Sequence, residues 1–235
     1  MVSIVIPAFN CTNYIGQSLQ SCFSQTYTDF EVIVVDDCSD EDIYSAIKGF
    51  DVKYVRNNKN IGPAGSRNIG IQLSKGDYIS FIDSDDLMNR YKLEKSVKAF
   101  ESDPEIGLVC GNYQILIDRV RLCPPFYRNP IKINHDMLMN QNFVASGSTT
   151  VKRDVLEDIG NFNEEYWIGE DYDLWIRIAE KYKVCYLHDI LYYYSIVKNG
   201  NSLTQRDDIQ KNHIKNIDKI KFNSKKRVYD AKHSK

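Results

Sequence analysis

The most constraining feature of this sequence is the alternation of short apolar segments with helical segments over its first hundred residues. Runs rich in Val and Ile begin near residues 2, 30, 52 and 78, and stretches of helical periodicity separate them. Strands that are apolar along their whole length must be covered on both faces, which is typical of a parallel sheet flanked by helices. Because crossovers in such sheets are right-handed, the pattern predicts an α/β fold with one Rossmann-like, doubly wound, mainly parallel sheet.

The second half of the chain is less regular. The pattern predicts a strand or hairpin over 107–120, a proline-containing loop over 123–130, extended segments over 143–152 and 184–197, and a helix over 171–182. We therefore expect one domain over residues 1–204, with a regular half at 1–106 and a smaller mixed half at 107–204.

Residues 205–235 are expected to form a basic helical tail. From residue 211 onward there are nine Lys and Arg against two Asp, a net +7, which leaves −9 for residues 1–210 because the whole chain carries −2. Ile residues recur among these lysines. A basic amphipathic helix of this kind can lie on an anionic membrane surface, or it can pack its Ile stripe on the domain and leave the lysines solvated.

Composition and charge exclude several classes of protein. The hydrophobic fraction of 43% and the charged fraction of 26% are typical of a globular chain, and a net charge of −2 argues against a nucleic-acid partner. No apolar run approaches the ~20 residues of a membrane span. The first ten residues lack the basic start of a secretory signal, and the six cysteines are scattered. We expect a cytoplasmic protein with free thiols, and a peripheral position at the inner face of the cell membrane is an alternative.

Carboxylates follow two of the predicted strands. Asp83, Asp85 and Asp86 crowd four positions after the fourth strand, and Asp36 and Asp37 follow the second. Ligands bind such sheets beyond the carboxyl ends of the strands, and clustered carboxylates suit a hard cation such as Mg²⁺ or Mn²⁺. Asp is also a good helix N-cap, so plain turns remain an alternative for both clusters.

Two further segments contain polar residues at predicted helix starts. The stretch Ile61–Asn68 combines small residues with Arg67, which suits the approach of a phosphate, although a packing reason for the glycines stays open. Glu170 and Asp171 precede an apolar helix, where the helix dipole stabilises negative charge. They can be simple caps, or one of them can face a cleft, and Asp173 competes for that role.

Taken together and in this order, the segments resemble the inverting nucleotide-sugar glycosyltransferases of family two, which have the GT-A fold. The resemblance covers about residues 1–204 and is most specific in the first hundred. The matching segments are Val2–Asn10, Ser24–Asp40, Asn60–Gly70, Gly76–Asp86 and Gly169–Trp175. It implies that 1–106 is the nucleotide-binding half and 107–204 the acceptor half.

The resemblance also implies roles for individual residues. Glu170 and Asp171 match the family's catalytic Glu-Asp pair, in which Asp171 would be the general base. Asp83 and Asp85 match the D-x-D motif that holds Mn²⁺ or Mg²⁺, and Asp86 adjoins it. The nucleotide would contact residues from several loops, with Asp37 on the base. These predicted nucleotide-binding residues are Pro7, Phe9, Asn10, Asp36, Asp37, Arg67, Asn68, Asp83 and Ser84.

One segment departs from the family pattern. Many relatives carry Arg-x-His near the last strand, whereas this chain has Ser195 and Val197 at those positions. A third protein contact to the metal is therefore in doubt. The processive-synthase motif Q-x-x-R-W is also absent from the sequence, which favours transfer of a single sugar.

The expected reaction moves one sugar from a nucleoside-diphosphate sugar, such as a UDP-sugar, to a glycan or lipid-linked glycan acceptor in lipopolysaccharide or capsule biosynthesis. A nucleotidyltransferase is an alternative, but it would need a basic Gly-rich loop after the first strand, where this chain has Pro7 to Cys11. A non-catalytic nucleotide-sugar-binding protein is a second alternative, although all the acids for catalysis are present.

Overall fold

The structure is a computed structural model that describes residues 1–118, 121–122, 133–196 and 207–233, with the side chains of 121–122 and 207–212 left undescribed. The predicted loop at 123–130, Val197 and the predicted boundary at residue 204 lie outside this range. In the described residues, no helix is long and apolar enough to cross a membrane.

The helices and strands alternate through the first hundred residues, as the apolar pattern predicts. The strands are β1 (Val2–Ala8), β2 (Phe30–Asp36), β3 (Lys53–Arg56), β4 (Tyr78–Phe81), β5 (Leu87–Met88), β6 (Ile106–Ile117), β7 (Arg121–Leu122), β8 (Thr150–Lys152) and β9 (Lys183–Ile196). The helices are α1 (Ile15–Phe23), α2 (Ile43–Ile47), α3 (Gly62–Leu73), α4 (Lys92–Ser102), α5 (His135–Asn140), α6 (Arg153–Ile159), α7 (Glu170–Lys181) and α8 (Asp207–His233), with a 3₁₀ turn at Ser146–Ser148.

The strands form one continuous sheet. Its order is β3-β2-β1-β4-β8-β6-β9-β5, with β7 paired to β6. The first four strands in this order are parallel, and so is the long β6–β9 pair, whereas β8 runs antiparallel to both of its neighbours. The predicted α/β fold is therefore confirmed, with a parallel half formed by β1 to β4 and a mixed second half.

The sheet is curled. The chain passes from β4 to β5 through residues 82–86 alone, although β8, β6 and β9 lie between these two strands in the sheet. The sequence predicts a helix from Leu87, which is wrong at its start, because Leu87 and Met88 pair with Tyr193 and Tyr192 of β9 before α4 begins at Lys92. This short strand closes the curl and ties the acidic loop to the last strand.

Two apolar cores lie on the two faces of the sheet. One joins α1 and α2 to β1 and β2, and the other joins α3 and α7 to β4, β6 and β8. Trp175 of α7 is fully buried against Phe81 and Phe162, and Ile220 of α8 belongs to the same core. The C-terminal helix is therefore part of the domain along one face.

Residues 143–152 are only partly extended, contrary to the sequence pattern. The 3₁₀ turn at Ser146–Ser148 interrupts them, because Ser148 and Thr149 turn back to bond the carbonyls of Ala145 and Ser146. Only Thr150–Lys152 joins the sheet. The α6 helix, which follows directly at Arg153, was not expected from the sequence.

Gly70 provides a test of the packing between α3 and β1. A Cβ on Gly70 would collide with the Val5 side chain, whereas a Cβ on Gly16 of α1 would meet nothing within 4 Å. We expect Gly70→Ala to lower the free energy of unfolding by about 1–3 kcal/mol through overpacking. Gly16→Ala should raise it by up to about 1 kcal/mol through helix propensity. Urea unfolding of both variants measures this, and equal effects would contradict the packing assignment.

Candidate active site

The predicted site residues gather where the chain reverses its direction across the sheet. From β1 the chain moves outward to β2 and β3, and it then returns to the other side of β1 to form β4. Such a reversal leaves a crevice beyond the carboxyl ends of the adjacent strands. The loops after β1, β2 and β4 and the first turn of α3 all lie at this edge.

The two acids after β2 are held by different partners. Asp37 accepts hydrogen bonds from the Asn57 side chain and from the backbone N–H groups of Ile61 and Gly62, at 2.8–2.9 Å. Asp36 is bonded to Ser39, Tyr54 and Arg56. Although Asp36 is buried, these hydrogen bonds and the Arg56 charge hold its pKa below the usual range. Both acids therefore fix the start of α3 and the loop after β2.

The loop after β1 contributes one exposed ring. Phe9 is half-exposed at the end of β1, and Pro7 pairs with Val35 inside the sheet. Asn10 adopts positive φ, accepts from the Asp40 N–H, and donates its own N–H to Ser39. Phe9 is thus available to a flat ligand, while the Asn10 backbone and side chain join two loops of the crevice.

Arg67 is the centre of the site. Its side chain is 5% exposed, and its two terminal nitrogens donate to Asp83 at 2.7 Å and to Glu170 at 2.6 Å. These carboxylates, together with nearby Asp171, raise the pKa of Arg67 despite its burial. The guanidinium therefore connects the acidic loop after β4 to the first turn of α7, which lies 103 residues further along the chain.

Glu170 and Asp171 differ in accessibility although they are neighbours. Gly169 adopts φ 87° before α7, a conformation that favours glycine, and the first turn then carries both acids. Glu170 is buried against Arg67, and burial raises its pKa to about 7. Asp171 is only partly buried, and its pKa is raised by desolvation against the opposing charge of Arg67. The arrangement leaves Asp171 as the acid of this pair that solvent can reach.

The three acids after β4 divide into two groups. Asp83 and Asp85 are partly exposed at the strand end, whereas Asp86 is buried and accepts the backbone N–H of Ser195 in β9 at 2.7 Å. Burial and the charges of Asp85 and Asp83 hold the pKa of Asp86 well above its usual range. Within the described residues, no three His, Cys, Asp or Glu side chains form a group that could hold a metal ion. The hydrogen bond to Ser195 means that Asp86 joins the acidic loop to β9.

Ser84 and Asn68 have structural surroundings. Ser84 is buried within the acidic loop, next to Cys11. The Asn68 amide donates to the Phe162 carbonyl at 3.0 Å and to Glu164 at 2.8 Å, and it accepts the Phe162 N–H at 3.0 Å. Asn68 thus holds the loop that leads into α7 rather than presenting its amide to the crevice.

Two residues that support the site were not expected from the sequence. Lys92 is fully buried and donates to the carbonyls of Phe81 and Gly147, both at 2.8 Å, and burial lowers its pKa to about 7. It anchors the end of β4 just before the acidic loop. Trp167 lies over Gly62, where an added Cβ would be 3.0 Å from the ring. Neither contact has a local signal in the sequence: Lys92 looks like an ordinary lysine at a helix start, and nothing near Trp167 indicates that it packs on Gly62.

Glu170 gives a pH test of this geometry. Because its pKa is about 7 in the folded chain against an ordinary 4.5, the folded state keeps the proton to higher pH. Ionisation of Glu170 therefore lowers the free energy of unfolding as the pH rises from about 4.5 to about 7, and above pH 7 it causes no further change. Between about pH 5 and pH 8, we expect the wild type to lose about 2–3 kcal/mol more unfolding free energy than Glu170→Gln.

Urea unfolding at both pH values measures this difference. The matched control is Glu157→Gln, because Glu157 is exposed on α6. It should follow the wild type at both pH values. If Glu170→Gln shows the same pH dependence as the wild type, Glu170 does not titrate in the way that its burial indicates.

Comparison with known proteins identifies the family. The model named "Glycosyl transferase family 2" matches residues 3–160. The chain is 32% identical over 184 residues to UDP-Glc:alpha-D-GlcNAc-diphosphoundecaprenol beta-1,3-glucosyltransferase WfaP of Escherichia coli, covering 77% of this chain and 71% of WfaP.

Two solved structures share the fold. TarS 1-349 of S. aureus in complex with UDP-GlcNAc has a TM-score of 0.73 at 22% identity, over 90% of this chain and 64% of that one. The mannosyltransferase PcManGT of Pyrobaculum calidifontis, in complex with GDP-Man and Mn²⁺, has a TM-score of 0.68 at 21% identity, over 85% and 58%. This chain thus spans less than two thirds of either structure, and the likeness confirms the GT-A fold. Because the family model matches residues 3–160, which is more than half of the chain, the chain belongs to glycosyl transferase family 2.

Proposed function

We propose that this protein is an inverting glycosyltransferase that moves one sugar from a UDP-sugar to a hydroxyl of a lipid-linked glycan. The observation that carries the proposal is the Arg67 bridge, which brings the acidic loop after β4 to the first turn of α7. A donor diphosphate and an acceptor hydroxyl need these two places to be adjacent. The WfaP name, with UDP-Glc as donor and a diphosphoundecaprenol acceptor, supports the substrate classes.

The donor nucleotide is proposed to lie in the crevice beside β1. Phe9 offers an exposed aromatic face to the base, and Pro7 borders the same strand end. Asp37 already accepts three hydrogen bonds, and a carboxylate has about four acceptor positions, so one more donor from a base N–H can be accommodated. Asp36 and Asn10 would act through the loops that they hold.

Asp83 and Asp85 fit a divalent cation that also binds the donor diphosphate. Both are oxygen donors, both are partly exposed, and Mg²⁺ or Mn²⁺ at such sites takes one or two carboxylates with the rest from phosphate and water. Such an ion would supply charge neutralisation for the leaving diphosphate. The Mn²⁺ in the PcManGT complex supports this assignment. Arg67 would orient Asp83 through its 2.7 Å ion pair.

Asp171 is the proposed general base. Its carboxylate is accessible in the first turn of α7, and its raised pKa makes it a better proton acceptor than an ordinary aspartate. It would take the proton of the acceptor hydroxyl as that oxygen attacks the anomeric carbon. The nucleoside diphosphate leaves from the opposite face, so an α-linked donor gives a β-linked product. Glu170, paired with Arg67, would hold the first turn in place.

The base assignment predicts the behaviour of Asp171→Asn. We expect kcat to fall by about 10²–10⁴-fold, because the amide cannot accept the hydroxyl proton, while the Kd for the donor is unchanged. A transfer assay with isothermal titration of the UDP-sugar measures both. Glu157→Gln on α6 is the matched control and should retain full turnover. A rate for Asp171→Asn close to the wild type would exclude Asp171 as the base.

The metal assignment predicts a different result for Asp85→Asn. Loss of one ligand carboxylate should weaken UDP binding by at least ~10-fold in the presence of Mn²⁺ and change it little in its absence. The control is Asp51→Asn, an exposed acid between α2 and β3. Calorimetric titration of UDP with and without Mn²⁺ measures the difference. If Mn²⁺ strengthens UDP binding equally in Asp85→Asn and in the wild type, Asp85 does not hold the ion.

A further inference from the structure

The C-terminal helix α8 has an inner face that belongs to the domain. Ile220 and Ser224 are fully buried, and Ile217 packs against the core on the α7 side. Ser224 donates to Glu180 of α7 at 2.6 Å, and Arg227 forms an ion pair with the same carboxylate at 2.8 Å. These contacts fix the rotation of the helix about its own axis, so the identity of its outer face is also fixed.

The same inner face touches the loop that leads to the candidate base. The Asn216 amide donates to the Ile168 carbonyl at 2.9 Å, and Lys219 pairs with Glu165 at 3.0 Å. Ile168 lies three residues before Asp171. Whatever binds the outer face of α8 will therefore be held close to the acceptor side of the site.

The outer face of α8 combines exposed apolar side chains with lysines. Ile214, Phe222 and Tyr229 are 65%, 68% and 61% exposed. At 100° per residue, Phe222 and Tyr229 lie almost opposite the buried Ile220, and Ile214 lies at one flank. Four exposed lysines share this half of the helix: Lys215, Lys225, Lys226 and Lys232. One exposed acid, Asp218, also lies on this half. We define the three apolar residues and the four lysines as the outer face.

We propose that the outer face of α8 binds the anionic surface of a membrane. Single apolar side chains set among lysines are typical of a helix that lies in the headgroup region, with the rings at the acyl boundary and the ammonium groups at the phosphates. A protein partner fits less well, because lysine is depleted at the centres of protein interfaces. Charge selects the orientation: residues from 211 carry +7 and residues 1–210 carry −9, so an anionic surface attracts this side and repels the rest.

This membrane contact deepens the proposed function. If the acceptor is a lipid-linked glycan, its diphosphate head is at the membrane surface. Docking through α8 would keep the loop at 163–169 and the first turn of α7 near that surface. The membrane binding itself depends on the outer face alone, whereas its benefit for transfer rests on the proposed acceptor.

Sedimentation with lipid vesicles tests the contact with the full-length protein. The vesicles are phosphatidylcholine with or without phosphatidylglycerol, at low and high salt. We expect binding only to the anionic vesicles, weakened by salt. The double variant Phe222→Ser/Lys226→Glu should bind the anionic vesicles at least about tenfold more weakly than the wild type, because it removes a ring and reverses a charge.

A matched control is available on α2. Tyr44 of α2 and Lys48, which directly follows α2, have the same i, i+4 spacing and are also exposed, beside the other core. Tyr44→Ser/Lys48→Glu should bind the anionic vesicles like the wild type. Both double variants should bind UDP as tightly as the wild type does. Equal UDP binding would show that the donor site is folded, and it keeps this test separate from the proposed function.

Three results would overturn the proposal. The first is a wild-type protein that does not sediment with the anionic vesicles. The second is equal vesicle binding by Phe222→Ser/Lys226→Glu and the wild type. The third is a wild-type dimer, by light scattering, that this variant converts to a monomer, because the outer face would then bind a second copy of the chain.

Discussion

A buried guanidinium determines how the rest of the site is arranged. Arg67 is almost fully excluded from water, and burying an unpaired charge would be strongly destabilising. Two carboxylates compensate it, one from the loop after β4 and one from the first turn of α7. Loss of Arg67 would leave the buried Glu170 carboxylate and the partly exposed Asp83 carboxylate without their cation. The ion pairs therefore require the loop after β4 and the first turn of α7 to be together whenever the domain is folded.

The same arrangement explains why two adjacent acids differ. Glu170 is directly bonded to Arg67 and is buried, so it stabilises the first turn of α7 rather than contacting solvent. Asp171 is close enough to feel the Arg67 charge but is not its hydrogen-bond partner, and burial still raises its pKa. A base with a raised pKa that solvent can reach is more useful for proton abstraction than one fixed in an ion pair. The pairing of Glu170 thus leaves Asp171 as the acid of this pair that solvent can reach.

The sequence predicts the parallel half of the fold well because its signals are local. Strands β1 and β2 are short Val/Ile runs and β4 is a short, mostly apolar run, and their ends place Asp37 and Asp83 at one edge. The partners of Arg67 are 16 and 103 residues away, and no local pattern encodes such a pairing. The two-residue strand β5 is missed for the same reason, since it pairs with β9, which is far along the chain. Asn68, which is predicted to contact the nucleotide, is bonded in the structure to Phe162 and Glu164, partners more than 90 residues away that no local pattern indicates.

The acidic run after β4 shows how one short segment can serve both binding and folding. Asp83 and Asp85 alternate outward from the strand end, while Asp86 points to β9 and accepts the Ser195 N–H. The family resemblance predicts an arginine at the position of Ser195. The backbone N–H there does not depend on the side chain, so Ser195 supplies Asp86 with a hydrogen bond but no cation. Burial and the charges of Asp85 and Asp83 raise the pKa of Asp86 well above the usual range. Asp83 and Asp85 stay partly exposed beside it, and they are the two carboxylates that the proposed cation and the donor diphosphate would share.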